Sequence, residues 1–429
     1  MTSKRRLRIL MLTASLGYGG SESSFQRLAD FLSKHYDITV ALMARNYGNT
    51  DYSNQQSPIM HKVILLNEAG KNRPKLLRKL LRWQRMLIRL RSLKSEHDVS
   101  ISFLSGPNLL NAFAGIPQAT IVSERGSKLY HTGISPIRKF LWLRILDPMT
   151  YRRAAKIVPA SIGYASEIAQ IAGAIHKVKI YPIEGGIDSE SLLDNAEANP
   201  DSDILRFCQG PTAVHCGRLD GGKGIHLLLP AFARVNAAQP DARLLLIGDG
   251  PLAKEIAAQC KALGLSVTND GDPKAAVFMA GYRDNPIRHF RLCQLFLFPS
   301  LHEGFPNALI EGVASGISVL AADCPWGPRS ILSGPTDELL TARPVHKPVK
   351  LTYGKLMPLP GNPLTVDFWV KEMGASLKHE AAPLSRQCRR QAIARFDIEE
   401  TGLKWLALVE QLMDHSSSEQ AVVNGRNGD

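Results

Sequence analysis

The feature that most constrains this chain is an alternation: short, nearly continuous apolar runs separated by longer stretches of helical spacing. In the first half the runs are "RILMLT", "DITVALM", "DVSISFL", "QATIVSE", "AKIVPAS" and "VKIYPIE". In the second they are "TAVHC", "ARLLLIG", "AVFMAG", "QLFLFPS" and "ISVLAAD". A strand with one wet face alternates polar and apolar residues, whereas a strand covered on both faces does not. The pattern predicts an α/β chain of two doubly wound halves, each a parallel sheet under helices. The 429 residues exceed one ordinary core, which agrees with two domains.

Between the halves, the polar stretch "DSESLLDNAEANPDSD", residues 188–203, reads as the interdomain linker. Residues 343–363 carry five prolines without helical period and predict an irregular excursion. "SRQCRRQAIARF" and "TGLKWLALVEQLM" read as closing helices, and the tail "DHSSSEQAVVNGRNGD" has the composition of disorder. No apolar run approaches about 18 residues, so no segment is expected to cross a bilayer. The six cysteines, all in the second half, form no C-x-x-C pair and read as reduced, buried thiols of a cytosolic protein.

The net charge of +13, from 52 basic and 39 acidic residues, invites an anionic partner. Between Lys71 and Lys94 there are ten Lys or Arg and no acid. In "KNRPKLLRKLLRWQRMLIRLRSLK" a helix aligns Leu76, Leu80, Trp83, Leu87 and Leu90 on one stripe, with cations around the rest. The leucines are expected in the core and the arginines of residues 71–94 on an anionic membrane surface. Nucleic acid is not expected: the segment has a single aromatic and the chain carries no nucleic-acid module.

Three glycine-rich or carboxylate-bearing stretches carry the chemistry. "GYGGSE", from Gly17 to Glu22, sits between the first strand and a helix starting near Ser21, where backbone N–H groups can approach an anion or simply make a tight turn. It is no dinucleotide fingerprint, because Glu22 stands where the third glycine belongs. "GRLDGGKG", from Gly217 to Gly224, resembles a P-loop but has Gly224 where a magnesium-binding hydroxyl is required. Arg218 and Lys223 on such a turn suit a diphosphate. "HEGFPNALIEG" puts Glu303 in a loop and Glu311 one turn into a helix starting near Asn307. Amides from Phe305 to Leu309 would line an anion site at that helix start, and carboxylates beside it suit vicinal hydroxyls. A nucleotide sugar offers both groups.

The order "GYGGSE", "CGRLDGGKG", "LLLIGDGP", "VFMAGYRDN", "LFLFPSLHEGFPNALIEGVASGISVLAAD" and "GPRSIL" resembles the nucleotide-sugar-dependent glycosyltransferases of family 4, with the GT-B fold. The resemblance is dense over residues 210–335 and loose before them. It implies two Rossmann-like domains facing across a cleft: an acceptor-side domain at 1–190, a nucleotide-sugar domain at 191–398, a closing helix at 399–414 and a disordered tail at 415–429. It implies that Arg218 and Lys223, beside Gly217, hold the diphosphate without a metal or other cofactor. Glu311 would take the ribose hydroxyls and Glu303 those of the transferred sugar. Gly304, Phe305, Pro306, Asn307, Ala308 and Leu309 would bind the sugar and phosphate oxygens. Gly281, Tyr282 and Arg283 would lie against the base, and Gly19 and Gly20 would complete the donor set.

Three departures from the family pattern stand out. Gly185 precedes Gly186 where an asparagine is usual, Ser330 replaces a glutamate after Arg329, and "SERGSK" replaces a histidine-bearing loop of the first domain. Glu124, Arg125 or His131 is the expected substitute, with Arg125 grouped with Glu303, Arg218 and Lys223 as catalytic. The resemblance implies a retaining enzyme that moves a hexose or N-acetylhexosamine, from a UDP-sugar by preference, to a lipid-linked sugar acceptor. Its place would be the cytoplasmic face of the membrane, in polysaccharide or lipopolysaccharide assembly. The alternatives are a UDP-sugar epimerase of the same fold and a non-enzymatic basic scaffold on membrane or nucleic acid.

Overall fold

The computed structural model describes residues 5–16, 19–43, 62–66, 75–116, 119–131, 133–173, 178–334, 337, 344–378 and 384–426, and only the backbone of 75–80 and 415–426. The chain forms two compact units. The first takes residues 1–129, 136–187 and 396–429, and the second takes 130–135 and 188–395.

The first unit is built on β1 (Arg8–Thr13), β2 (Asp37–Leu42), β3 (Lys62–Leu65), β4 (Val99–Phe103), β5 (Thr120–Glu124) and β6 (Lys156–Pro159). Among the described residues they form a parallel sheet of order β3-β2-β1-β4-β5-β6. One face is covered by the helices Gly20–Ser33 and Ile398–Arg426, which bury Phe25, Leu28, Leu32, Trp405, Leu408 and Val409 together. The two helices approach so closely that a Cβ on Gly402 would stand 2.4 Å from the Phe31 ring. The other face is covered by the helices Lys75–Ser95, Ser105–Phe113 and Asp147–Arg153.

The second unit is built on β7 (Thr212–Cys216), β8 (Arg243–Ile247), β9 (Val267–Thr268), β10 (Val277–Gly281), β11 (Leu295–Phe298), β12 (Ser318–Ala322), β13 (Val349–Leu351) and β14 (Gly354–Met357). Their order is β13-β14-β12-β11-β7-β8-β10-β9, parallel except for the β13–β14 hairpin. Leu228, Phe232, Leu244, Leu246 and Trp369 lie in its main core. Setting aside the edge strands β9 and β13, its strands repeat the 3-2-1-4-5-6 order of the first sheet. Such sheets have their switch point between the first and fourth strands, here β1/β4 and β7/β11, where the loops at the carboxyl ends diverge and leave a crevice.

Several expectations need correction. "VKIYPIE" forms no strand but a single bridge, Ile180 to Ile157: Tyr181 and Ile183 donate to the Ile157 and Pro159 carbonyls, but Pro182 has no N–H with which to extend a ladder. Residues 188–203 are not a linker: Asp188 caps the helix Ser189–Glu197, whose acids take Arg386 and Arg389 from a later helix. The proline-rich stretch holds the β13–β14 hairpin, with β14 running parallel beside β12. The closing helix belongs to the first unit and its backbone stays helical to Arg426, since propagating a packed helix adds one bond per residue. Residues 427–429 lie outside the described residues. Cys260, Cys293 and Cys324 are buried thiols, but Cys388 is exposed.

The Gly185 departure has a steric reason. At φ +90° a Cβ there would come within 2.6 Å of the Phe396 carbonyl, which accepts from the amides of Gly186 and Ile187. Among the described residues no helix is long and apolar enough to cross a membrane.

The basic helix Lys75–Ser95 meets its expectation in part. Leu90 is buried and Trp83 and Leu87 pack beside it, whereas the side chains of Leu76 and Leu80 and all of 71–74 lie outside the described residues. Arg85, Arg89 and Arg91 are exposed. Lys94 is not a surface cation: only 3% exposed, it donates to the carbonyl and Oδ1 of Asn111 and to Thr120 Oγ1. Burial pulls its pKa down to about 7. It lies three residues after Arg91, on the side of the helix that meets the start of β5 at Thr120.

Candidate active site

The turn after β7 is gripped from both sides. Gly217 N–H donates to the Ile247 carbonyl at 3.0 Å, Leu219 N–H to Asp249 at 3.0 Å, and Leu252 N–H back to Leu219 at 2.9 Å. At Gly248, φ +133°, a Cβ would lie 2.0 Å from the Gly217 carbonyl oxygen, and at Gly224, φ +68°, one would lie 2.1 Å from that of Pro299. The glycines of this stretch therefore serve close backbone approach between the ends of β7, β8 and β11. Asp220, absent from the sequence-based site, sets the finer shape: its Oδ1 accepts from the amides of Gly222 at 2.9 Å and Lys223 at 3.2 Å. A short acid three residues before a lysine is the cap signal that locates it.

The loop after β11 lies against this turn through Leu301 N–H, which donates to the Gly222 carbonyl at 2.8 Å. Glu303 is held by its backbone, donating to Pro325 at 2.6 Å and accepting from Trp326 at 3.1 Å. Its carboxylate receives the Lys223 ammonium at 2.7 Å, with side chains 11% and 27% exposed respectively. Burial pulls the Lys223 pKa down, but the Glu303 charge and hydrogen bond outweigh it, with help from Asp220, and lift it above the ordinary lysine value. Beneath the pair His215 is fully buried and pushed down to about 4 by desolvation, so it is neutral and donates Nδ1–H to Leu297 O at 3.0 Å. Arg218 stays 70% exposed, 3.7 Å from Asp220. Two residues expected on the diphosphate and the sugar thus meet each other at the switch point.

The helix Asn307–Ser315 starts where expected and has no side-chain cap. Gly304 and Pro306 are buried and Phe305, Asn307 and Ala308 half-buried around its start. Leu309 is corrected: its amide donates to Pro306 O at 3.1 Å within the first turn and does not point outward. Glu311 is half-buried one turn in, near Cys216, whose thiol is pushed well up by burial first and by Glu311 second. At the other rim the segment Tyr130–Ser135, part of the second unit, brings the His131 ring to 4.8 Å from His302. Burial, and then His131, keep the pKa of His302 below the ordinary value. His302 stands directly over Gly222, 2.9 Å from where a Cβ would be, and only its place beside Glu303 could have flagged it.

Other expected donor residues divide. Gly281 ends β10 at φ +70° and Tyr282 is 54% exposed. Arg283 is committed elsewhere, its guanidinium pairing with Asp201 at 3.1 Å and Asp203 at 2.6 Å, so it fastens the helix Ser202–Phe207 and is not turned to a ligand. In the first unit Gly17 and Tyr18 lie outside the described residues. Gly19 and Gly20 open the helix Gly20–Ser33, but the Glu22 carboxylate already fills the space over Gly19, 2.3 Å from a Cβ position there. Arg125 lies over the Phe103 ring at 4.8 Å, its pKa lowered to about 10 by burial and then by Arg27. Glu124 does not replace the histidine: it is buried in a network with Asn108 at 3.0 Å and Lys128 at 3.2 Å. Arg329 is likewise structural, paired in the interior with Asp323.

Comparison with known proteins agrees with this geometry. Residues 210–348, which hold the gripped turn and both glutamates, match the family model described as Glycosyl transferases group 1. A Campylobacter jejuni protein, named N-acetylgalactosamine-N,N'-diacetylbacillosaminyl-diphospho-undecaprenol 4-alpha-N-acetylgalactosaminyltransferase, is 28% identical over 326 residues, 74% of this chain and 81% of that one. The GDP-mannose:cellobiosyl-diphosphopolyprenol alpha-mannosyltransferase of Komagataeibacter xylinus is 27% identical over 46% of each chain. Among solved structures, Anabaena HepE in complex with UDP superposes with a TM-score of 0.65 at 18% identity, covering 94% of this chain and 100% of that one. The lipopolysaccharide outer core galactosyltransferase WaaB gives 0.65 at 16% identity, covering 94% and 99%. The family match over the switch-point site shows that residues 210–348 form a glycosyltransferase group 1 domain, and the chain as a whole has the GT-B fold.

Proposed function

We propose that the chain is a retaining, family-4-like enzyme that moves a hexose or N-acetylhexosamine from a nucleotide diphosphate sugar to a lipid-linked sugar acceptor. The observation that carries this reading is the Lys223–Glu303 pair, held by backbone contacts at the β7/β11 switch point beside the start of the helix Asn307–Ser315. An ammonium has three donors, so Lys223 can keep Glu303 and still meet a phosphate oxygen. Arg218, exposed on the same turn, is free to swing onto the second phosphate. Together they neutralise the leaving diphosphate without a metal. Glu303 accepts from the transferred sugar's hydroxyls, Glu311 from the ribose, and the exposed ring of Tyr282 covers the base.

Retention follows if the acceptor attacks from the face the diphosphate leaves and the departing phosphate oxygen takes its proton. No side-chain base is then required. UDP is the favoured carrier because the HepE structure holds it, and the names of the two curated relatives favour a diphosphopolyprenol-linked acceptor. A lipid-linked acceptor places the enzyme at the inner face of the cytoplasmic membrane, with Arg85, Arg89 and Arg91 towards anionic lipid.

The test is a thermal-shift screen against UDP-, GDP- and ADP-sugars, followed by transfer to a prenyl-diphosphate sugar with the product anomer read by NMR. A bound donor raises the midpoint, by more the higher its affinity, since it stabilises the native state by RT ln(1 + L/Kd), where L is the free donor concentration. An inverted anomer, or no shift with any nucleotide sugar, would refute the reading.

A further inference from the structure

The run from Pro136 to Arg153 turns a row of large apolar side chains outward. Pro136–Leu141 and Asp147–Arg153 are α-helical and Trp142–Leu146 is a wider π turn between them. Its inward side carries polar anchors beside the fully buried Tyr151 ring: Asp147 and Thr150 are buried, Asp147 meets Lys128 at 2.9 Å, and Lys139 donates to the Leu129 carbonyl at 2.7 Å. Its outward side is apolar: Ile137 is 83% exposed, Phe140 63%, and Leu141, Ile145 and Met149 43% each. These positions recur every three to four residues and so form one ridge. A helix of a water-soluble surface buries its apolar stripe. Here ionic ties hold the helix and the stripe faces out.

Charge identifies what covers it. Arg138, Arg144 and Arg152 are exposed along the ridge, and Asp147, the only acid between Pro136 and Arg153, is buried. The ridge also shares a layer with the basic helix, because the helix Ser105–Phe113 touches both and Arg153 stacks on Phe113 at 4.7 Å. We propose that Ile137, Phe140, Leu141, Ile145 and Met149 insert into the interfacial zone of an anionic bilayer while Arg85, Arg89 and Arg91 lie on its headgroups. This rests on the membrane placement proposed above and adds the element that enters the lipid.

Apolar insertion survives salt and electrostatic adsorption does not, so the test is flotation of the full chain with phosphatidylglycerol vesicles at low salt and at about 1 M salt, where the Debye length is about 3 Å. The wild type should keep a salt-resistant bound fraction. An Ile137→Ser/Phe140→Ser variant should lose it, with partitioning about tenfold weaker, and keep its UDP thermal shift and transfer to a water-soluble acceptor. An Arg85→Glu/Arg89→Glu variant should lose low-salt binding yet retain the resistant fraction. As a second measurement, Phe140→Trp should add blue-shifted emission that acyl-brominated lipid quenches. Complete release of the wild type at high salt, unaltered flotation of the serine variant, no blue-shifted emission from the Phe140→Trp variant, or a change of oligomeric state in place of flotation would each overturn the proposal. Loss of the UDP shift in all variants would instead count against the donor site.

Discussion

Removing the charge of Glu303 while keeping its shape separates two jobs that the structure has put on one contact. In Glu303→Gln the Lys223 ammonium, now 2.7 Å from its carboxylate and about three-quarters buried, loses its anionic partner. Unit charges at about 4 Å attract by about 4 kcal/mol at an effective dielectric of 20. Partial exposure and the desolvation already incurred reduce the net worth of such a pair to about 1–2 kcal/mol. A diphosphate entering the wild-type site shares that ammonium with the Glu303 charge, so UDP should bind the variant more tightly, by at most about five- to thirtyfold at 1.4 kcal/mol per decade. Transfer should move the other way, falling about 10²- to 10³-fold, because the sugar hydroxyls lose their acceptor. Calorimetry with UDP at fixed ionic strength, set beside turnover at saturating donor, reads both. If UDP affinity and turnover fell together, Glu303 would be a mere prop for Lys223, and if turnover held, its sugar role would be gone.

Other outcomes follow from single contacts. Glu311→Ala should erase discrimination between UDP and its 2'-deoxy analogue, about tenfold in the wild type, with both affinities measured by calorimetry; retained discrimination would move the ribose elsewhere. Gly248→Ala puts a methyl 2.0 Å from the Gly217 carbonyl at φ +133°, so the melting midpoint should drop with about 1–3 kcal/mol of strain and UDP affinity should drop with it. Lys94, with a folded pKa of about 7, is charged at low pH in both states but neutral above that only when folded. Its penalty is therefore full below pH 7 and is relieved as pH rises towards the unfolded value near 10.4, by about 1.4 kcal/mol per unit. Urea unfolding of Lys94→Met should lack this rise relative to the wild type, and parallel curves would refute it.

What could be read in advance was whatever rests on runs and spacing. The buried strands β1, β2, β4 to β8 and β10 to β12 are short, nearly continuous apolar runs, and the helix starting at Asn307 follows one of them after a short loop. The strands β3, β9, β13 and β14 have two to four residues and owe their pairing to neighbours, which no local period records. In the site, Gly217, Lys223, Glu303 and the helix start were legible because their chemistry dictates residue type. Arg283 and Lys94 were misread because a cation looks the same in sequence whether it faces a ligand, a lipid or a carbonyl. Only Asp201, Asp203 and Asn111, far away in the chain, decide. Asp220 and His302 act by gripping and covering the turn, roles visible only once Gly222 has a place.

The closing helix has a consequence for biosynthesis. Trp405, Leu408 and Val409 complete the core around Phe103 and Phe25, yet about 200 residues of the second unit are translated between Ile187 and Phe396. At about 10 residues per second the first unit must wait roughly 20 s on the ribosome with part of a greasy sheet face, the part beside the helix Gly20–Ser33, uncovered. The second unit, contiguous but for six residues, can fold meanwhile. Order of folding thus runs against order of synthesis, and the half-made first unit is where a chaperone would be needed.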